Sequence, residues 1–186
     1  MTNILTDTNH VIDYKKIVGK ENIVITTTND ELQIATKTSP IDKSIIHVAV
    51  DSQIDNLQND APIRYNSKIF SIGNSISYDF SNYTFTVSAG STYRLHCSVT
   101  RIDASTNSPE LVYQWFNLTK NLFIGSCGGI GMPDNRQFSF LGGIPYLYLE
   151  PNEDTKLQVR IKKNDSITSI SSNNGLNGNY AIIETI

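Results

Sequence analysis

The chain has 186 residues, a formal net charge of −3 and an isoelectric point near 5.5. This length fills one well-packed domain with a small appendage and is too short for two large domains. Because the net charge is slightly negative and no apolar run could span a bilayer, we expect neither nucleic-acid binding nor membrane insertion.

The composition favours β-structure. Hydrophobic residues make up 39% of the chain, and isoleucine occurs 24 times against 6 alanines. A β-branched side chain suits a pleated sheet and loses rotamer freedom in a helix. Since no stretch shows sustained 3.6-residue periodicity, we predict an all-β chain with almost no helix.

An N-terminal arm is predicted over residues 1–43, with a β-hairpin at about 23–36. Asn29 and Asp30 tolerate the positive φ that a two-residue turn requires. A two-stranded ribbon with an apolar face is marginal alone in water, so that face should contact this chain's own head domain or neighbouring chains. The hairpin resembles segments that precede the heads of trimeric viral fibres. The predicted contact face consists of Ile23, Ile25, Leu32 and Ile34.

Residues 44–186 are predicted to form one head domain. Residues 85–87 and 93–100 flank a Ser-Ala-Gly-Ser turn, and the second segment alternates apolar with polar side chains, as in a half-buried strand. Residues 155–162 alternate in the same way. About ten short strands, with turn residues every eight to twelve positions, predict an antiparallel sandwich or barrel.

Three segments carry more apolar side chains than one face of a two-sheet core can take up: residues 45–50, 111–116 and 144–149. Residues 122–127 should return antiparallel to the second of these. The Gly128-Gly129-Ile130-Gly131 run that follows lacks the spacing of a phosphate-binding loop, so we expect a turn there.

The sequence offers no motif for catalysis. The histidines and cysteines show neither metal-ligand nor nucleophile spacing. Asp51, Asp55 and Asp60 lack the spacing of a calcium loop and are expected in a solvated loop. We therefore expect a non-enzymatic protein with no catalytic residues, no cofactor and no metal site. Cys97 and Cys127 are expected to be buried free thiols, although adjacent strands could also bring them within disulfide distance.

Residues 83–99, Y-T-F-T-V-S-A-G-S-T-Y-R-L-H-C-S-V, resemble the C1q/TNF-like pattern of F-T-V, a small-residue turn with Gly, then Tyr and an alternating strand. The C-terminal run is similar, with 148–150 at the acidic turn and 159–161 in an alternating strand. Residues 178–180 enter the last strand, but they read Gly-Asn-Tyr where the family often has Phe and a second Gly. The resemblance covers about residues 45–186. It implies a jelly-roll head that trimerises about a three-fold axis.

A symmetric subunit contact would cover the surplus apolar side chains. Aromatic residues suit such a contact, because the ring buries a large area while its polar tip finds a partner. For each candidate, ordinary core packing is the alternative. The candidate contact residues are Ile46, Val48, Tyr113, Trp115, Tyr146 and Tyr148.

The leading hypothesis is a homo-oligomeric virion protein, either a surface fibre head for attachment or a capsid or vertex component. A trimer is expected, and a pentamer stays open. The partners would be copies of the chain and either a host receptor or other capsid proteins, contacted by the loops 101–109, 132–137 and 172–179. Residues 1–7 lack a leader-peptide pattern, so we expect synthesis in the host cytoplasm. The alternatives are a cellular or bacterial C1q/TNF-like ligand or surface module, and a carbohydrate-binding sandwich.

Overall fold

A computed structural model describes residues 23–28, 31–36, 43–106, 109–131, 143–171 and 178–186. The chain divides into two compact units, one ending at Ile41 and the other running from Asp42 to Ile186. Every regular element in the described ranges is a β-strand, which confirms the predicted all-β class. The same ranges contain no helix that could cross a bilayer.

The first unit contains the predicted hairpin. Its strands β1 (Ile23–Thr28) and β2 (Glu31–Thr36) pair antiparallel, with Ile25 opposite Ile34. The side chains of these strands lie outside the described part of the structure. The predicted contact face of Ile23, Ile25, Leu32 and Ile34 therefore stays a prediction.

The described strands of the second unit form two five-stranded sheets and one three-stranded sheet, all antiparallel. The front sheet has the order β12 (Tyr146–Leu149), β8 (Tyr93–Ser98), β15 (Tyr180–Thr185), β3 (Ile45–Ala49) and β5 (Ser67–Ile72). The back sheet has the order β11 (Leu122–Gly131), β10 (Glu110–Asn117), β13 (Thr155–Asp165), β7 (Thr84–Val87) and β6 (Ile76–Asp79). The small sheet has the order β4 (Ile54–Asp55), β14 (Ile167–Ile170) and β9 (Ile102–Ala104).

One core lies between the front and back sheets. Buried side chains from both sheets form a single cluster, with Leu95 and Ile183 from the front sheet and Phe85 and Trp115 from the back sheet. In β13 the alternating residues 157, 159 and 161 are all buried, as their period of two predicts. The two layers therefore close on each other and leave each sheet one outer face.

The segment from β7 to β8, residues 84–98, connects the two layers. Strands β7 and β8 follow each other in the chain, yet β7 pairs in the back sheet and β8 in the front sheet. Tyr93 opens β8, and its hydroxyl donates to the Ser88 carbonyl at 2.9 Å. The turn over residues 88–92 thus carries the chain across the sandwich.

The glycine run at residues 128–131 corrects one prediction. It was expected to be a turn, but it forms the end of β11 and pairs with β10. A Cβ on Gly128 would come within 2.6 Å of the Gly143 carbonyl oxygen. Because Gly128 has no side chain, β11 lies directly against the segment that leads into β12.

We expect Gly73→Ala to destabilise the fold more than Gly90→Ala. Both glycines have positive φ, +75° and +81°, so the backbone strain of about 1–2 kcal/mol is common to both substitutions. A Cβ at position 73 would also lie 2.8 Å from the Cα of buried Ser44, whereas nothing lies within 4 Å at position 90. The overlap should add about 1–3 kcal/mol to the loss, measured by urea unfolding. Equal losses for the two variants would contradict this account.

Candidate oligomer interface

The outer side of the front sheet carries side chains that alternate with its core residues. The strand registers place them in rows across all five strands. We define the front face as one row of Tyr148, Arg94, Glu184, Ile45 and Ile72, a second row of Tyr146, His96, Ile182, His47 and Phe70, and the adjacent Tyr180.

Large apolar groups on the front face are open to solvent. Phe70 is 41% exposed, Ile72 60%, Tyr146 41% and Tyr148 58%. Ile182, at the centre of the second row, is half-buried. A contiguous set of aromatic and aliphatic side chains of this kind is typical of a protein contact surface.

The charged side chains of the front face neutralise each other. Arg94 Nε donates to Glu184 Oε1 at 2.7 Å, and a guanidinium nitrogen of Arg94 lies 2.6 Å from the same oxygen. The carboxylate beside it raises the pKa of Arg94 above its ordinary value. The ion pair removes net charge from the face, which favours contact with an apolar partner.

Two histidines lie on the front face on opposite sides of Tyr180. The ring centroid of Tyr180 lies 5.6 Å from that of His47 and 5.7 Å from that of His96, in edge-on contacts. His47 also meets Phe70 edge-on at 5.7 Å. Its Nε2 atom is shielded from solvent and has no hydrogen-bond partner within the described residues. Burial lowers the pKa of both histidines below the ordinary value; His47 is lowered further by His96.

The outer side of the back sheet is different, because its polar groups bond to one another and its Phe116 ring is covered. The guanidinium of Arg160 lies 4.0 Å from the ring centroid of Phe116. Gln158 Nε2 donates to the Asn82 carbonyl at 2.9 Å, and Lys162 Nζ donates to Gln114 Oε1 at 3.2 Å. Within the described residues, the front face is the outer side that leaves a row of large apolar groups open.

The structure corrects four of the predicted contact residues. Ile46, Val48, Tyr113 and Trp115 lie in the core of the same chain and are at most 2% exposed. The ring of Trp115 packs against Phe85 at 5.6 Å between centroids. These four point between the layers, where the opposite sheet covers them.

Tyr146 and Tyr148 point outward on the edge strand β12, where the Tyr146 hydroxyl donates to the Tyr148 hydroxyl at 2.5 Å. Their role as contact residues stays a prediction. Sequence reasoning missed the other outward groups, above all Phe70, Ile182 and His47. Ile182 and His47 alternate with the core residues of β15 and β3. That alternation identifies them as outward-facing only once it is known which side of each strand is buried.

The two cysteines are free and differ in environment. Cys97 is buried as predicted, and burial raises its pKa well above the ordinary value. Cys127 is exposed on β11, so its predicted burial is wrong. Its thiol lies 3.2 Å from Gln114 Oε1 on the outer side of the back sheet. The two thiols belong to different sheets.

The remaining chemistry of the described residues is sparse. They include no group of three side chains that could hold a metal ion. A shallow polar depression of about 290 Å³ is lined by residues that include Asp55, Arg64 and Tyr83. Arg64 bonds to the Asp55 carbonyl and Gln53 to its carboxylate, so these groups satisfy one another rather than converge on a ligand.

Comparison with protein-family models and with curated proteins found no match. Solved structures do show similar folds. Murine APRIL at pH 8.0 has a TM-score of 0.50 and 11% identity over 77% of this chain and 99% of that chain. Eiger TNF from S. frugiperda has a TM-score of 0.46 and 9% identity, over 77% and 91%. The PRD1 vertex protein P5 has a TM-score of 0.39 and 16% identity, over 91% and 83%. At these sequence identities the similarity concerns the fold alone. The assignment of the fold uses the APRIL structure, whose TM-score reaches 0.50. The chain therefore contains a TNF-like jelly roll.

Proposed function

We propose that this chain is a non-enzymatic virion structural protein whose jelly-roll head assembles with copies of itself through the front face. The observation that carries the proposal is the contrast between the two sheets. The back sheet covers Phe116 with its own Arg160, whereas the front sheet leaves Phe70, Tyr146 and Tyr148 open. Further copies of the chain, arranged about a rotation axis with their front faces turned inward, bring apolar side chains that cover these groups.

A three-fold arrangement is what the C1q/TNF-like resemblance implies. In such an assembly each head turns its front face toward the axis and its back sheet outward. The loops 101–109, 132–137 and 172–179, which lie partly or wholly outside the described residues, stay the predicted contact loops. Those loops then meet a host receptor or neighbouring capsid proteins. The fibre-head form of this proposal rests on the sequence resemblance of the arm, where β1 and β2 form the hairpin that the resemblance predicts.

The first test is the mass of the full chain in solution. Sedimentation at micromolar concentration should give about three times the chain mass of 20.7 kDa. Tyr146→Lys places an ammonium on the front face, and loss of an aromatic contact residue weakens association by about 30-fold or more. This variant should sediment as a folded monomer.

Leu122→Lys is the matched control. Leu122 is 45% exposed, much as Tyr146 is 41% exposed, but it lies on the back sheet. It should leave the oligomer intact. A wild-type monomer, or dissociation by Leu122→Lys alone, would reject the front face as the contact. The virion role is tested separately by mass spectrometry of purified particles, and its absence from them would reject that role while leaving self-assembly in place.

A further inference from the structure

We infer that the front face is a pH-sensitive contact, in which protonation of His47 and His96 in mildly acidic solution separates the subunits. The inference rests on the proposed self-assembly through this face. It adds control of subunit association by pH, which the exposed apolar groups alone would not produce.

The geometry places both imidazoles where a partner would cover them. His47 on β3 and His96 on β8 lie in one row, with Ile182 of β15 between them. At the ends of that row are Phe70 on β5 and Tyr146 on β12. A subunit that buries the two exposed end residues of this row also covers the histidines between them.

Among the described residues, the surroundings of the histidines offer no spare negative charge on the front face. Glu184 on β15 is the carboxylate of this face, and Arg94 on β8 already binds it. The other titratable groups facing the pair are hydroxyls, those of Tyr180 on β15 and of Tyr146 and Tyr148 on β12. The edge strand β5 contributes Phe70 and Ile72 to the face, while its Lys68 lies opposite Val48. Two imidazolium ions per subunit would therefore be buried in an apolar contact with no carboxylate to balance their charge.

The sign of the effect follows from linkage. Burial lowers the pKa of both histidines in the single chain; for His96, Glu184 opposes that shift and Arg94 adds to it. A covering subunit removes more water and disfavours the charged forms further. Above the ordinary value of about 6.5 both rings are neutral and association is unaffected. The pKa values of the free face already lie below that value. As the pH falls below those lowered pKa values, the free face takes up more protons than the covered face, and association weakens by up to about tenfold per pH unit for each histidine.

The test is sedimentation of the full chain between pH 8 and pH 5.5 at constant ionic strength. The wild type should be oligomeric at pH 7.5 and a folded monomer at pH 5.5, with its β-sheet circular dichroism retained. The double variant His47→Gln/His96→Gln should remain oligomeric at both values. His10→Gln, which changes the third histidine of the chain, should behave as the wild type does.

A wild-type oligomer that persists at pH 5.5 would overturn this inference and leave self-assembly standing. A monomer already at pH 7.5 would overturn self-assembly and this inference with it. Should the double variant fail to fold, NMR titration of the imidazole protons decides the matter. The midpoint of His47 should be lower in the wild-type oligomer than in monomeric Tyr146→Lys, and equal midpoints would refute the proposed coupling. His47 is the reporter because the new ammonium lies directly opposite His96 and would lower the pKa of that ring by itself.

Discussion

Trp115→Ala is expected to remove a large part of the stability of the head unit. Trp115 is fully buried on β10 and packs against Phe85 of β7. Truncation of a buried aromatic ring costs about 3–5 kcal/mol, because the lost burial is joined by a cavity that the neighbours fill only in part. A domain of ordinary stability has about 5–15 kcal/mol in total. Urea unfolding should be followed by circular dichroism, since the variant lacks the single tryptophan of the chain.

Tyr148→Ala is the companion variant, because the sequence offered both aromatics as subunit contacts. Tyr148 is 58% exposed, so its removal should change the unfolding free energy of the isolated subunit by less than about 0.5 kcal/mol. Its effect should appear instead as weaker association. If the Trp115→Ala protein kept its unfolding free energy and lost only its ability to oligomerise, Trp115 would be a subunit-contact residue. Its place in the core would then be refuted.

Asn179→Ala is expected to cost about 2–4 kcal/mol, because three backbone groups lose their partner at once. The Oδ1 atom of Asn179 accepts from the backbone nitrogens of Thr100, at 2.7 Å, and Arg101, at 3.2 Å. Its Nδ2 atom donates to the Ser171 carbonyl at 2.7 Å. Asn179 is fully buried, so water cannot replace these bonds without opening the structure. Chemical unfolding of the variant and the wild type at one protein concentration measures the loss.

Asn66→Ala provides the control with the same chemistry at the surface. The Oδ1 atom of Asn66 accepts from the Asp51 nitrogen at 2.8 Å, and its Nδ2 atom donates to the Ser52 carbonyl at 3.1 Å. Since Asn66 is exposed, water satisfies the released groups, and the loss should stay below about 1 kcal/mol. Losses of the same size at positions 66 and 179 would show that burial of the network is not what makes Asn179 important.

Asn179 lies at a position where the sequence differs from the C1q/TNF-like pattern that it resembles. The sequence carries Gly-Asn-Tyr at 178–180 where C1q/TNF-like chains often have Phe and a second Gly. In this fold the asparagine side chain joins the end of β8 to the segment after β14, and Tyr180 turns outward between the two histidines. The last strand is thus entered through a polar network and begins on the front face.

The positions of most strands and the pairing of the arm hairpin could be predicted from the sequence. Residues 157, 159 and 161 alternate with polar neighbours, and a period of two is a local property that any strand with one buried face must show. The hairpin register likewise follows from a two-residue turn and the residues beside it. Both inferences need only neighbours along the chain.

Tertiary structure alone decided which strands share a sheet and which side of each strand is covered. Residues 111–116 are apolar on both sides, so nothing local tells that Trp115 points into the core and Phe116 lies under Arg160. The glycines at 128–131 extend a strand because a distant segment packs against them. The front face is assembled from five strands that lie far apart in sequence, and its row from Tyr146 to Phe70 exists only once long-range pairing has set the registers. Burial depends on what packs against a side chain from elsewhere in the chain, and that is a property of the whole fold.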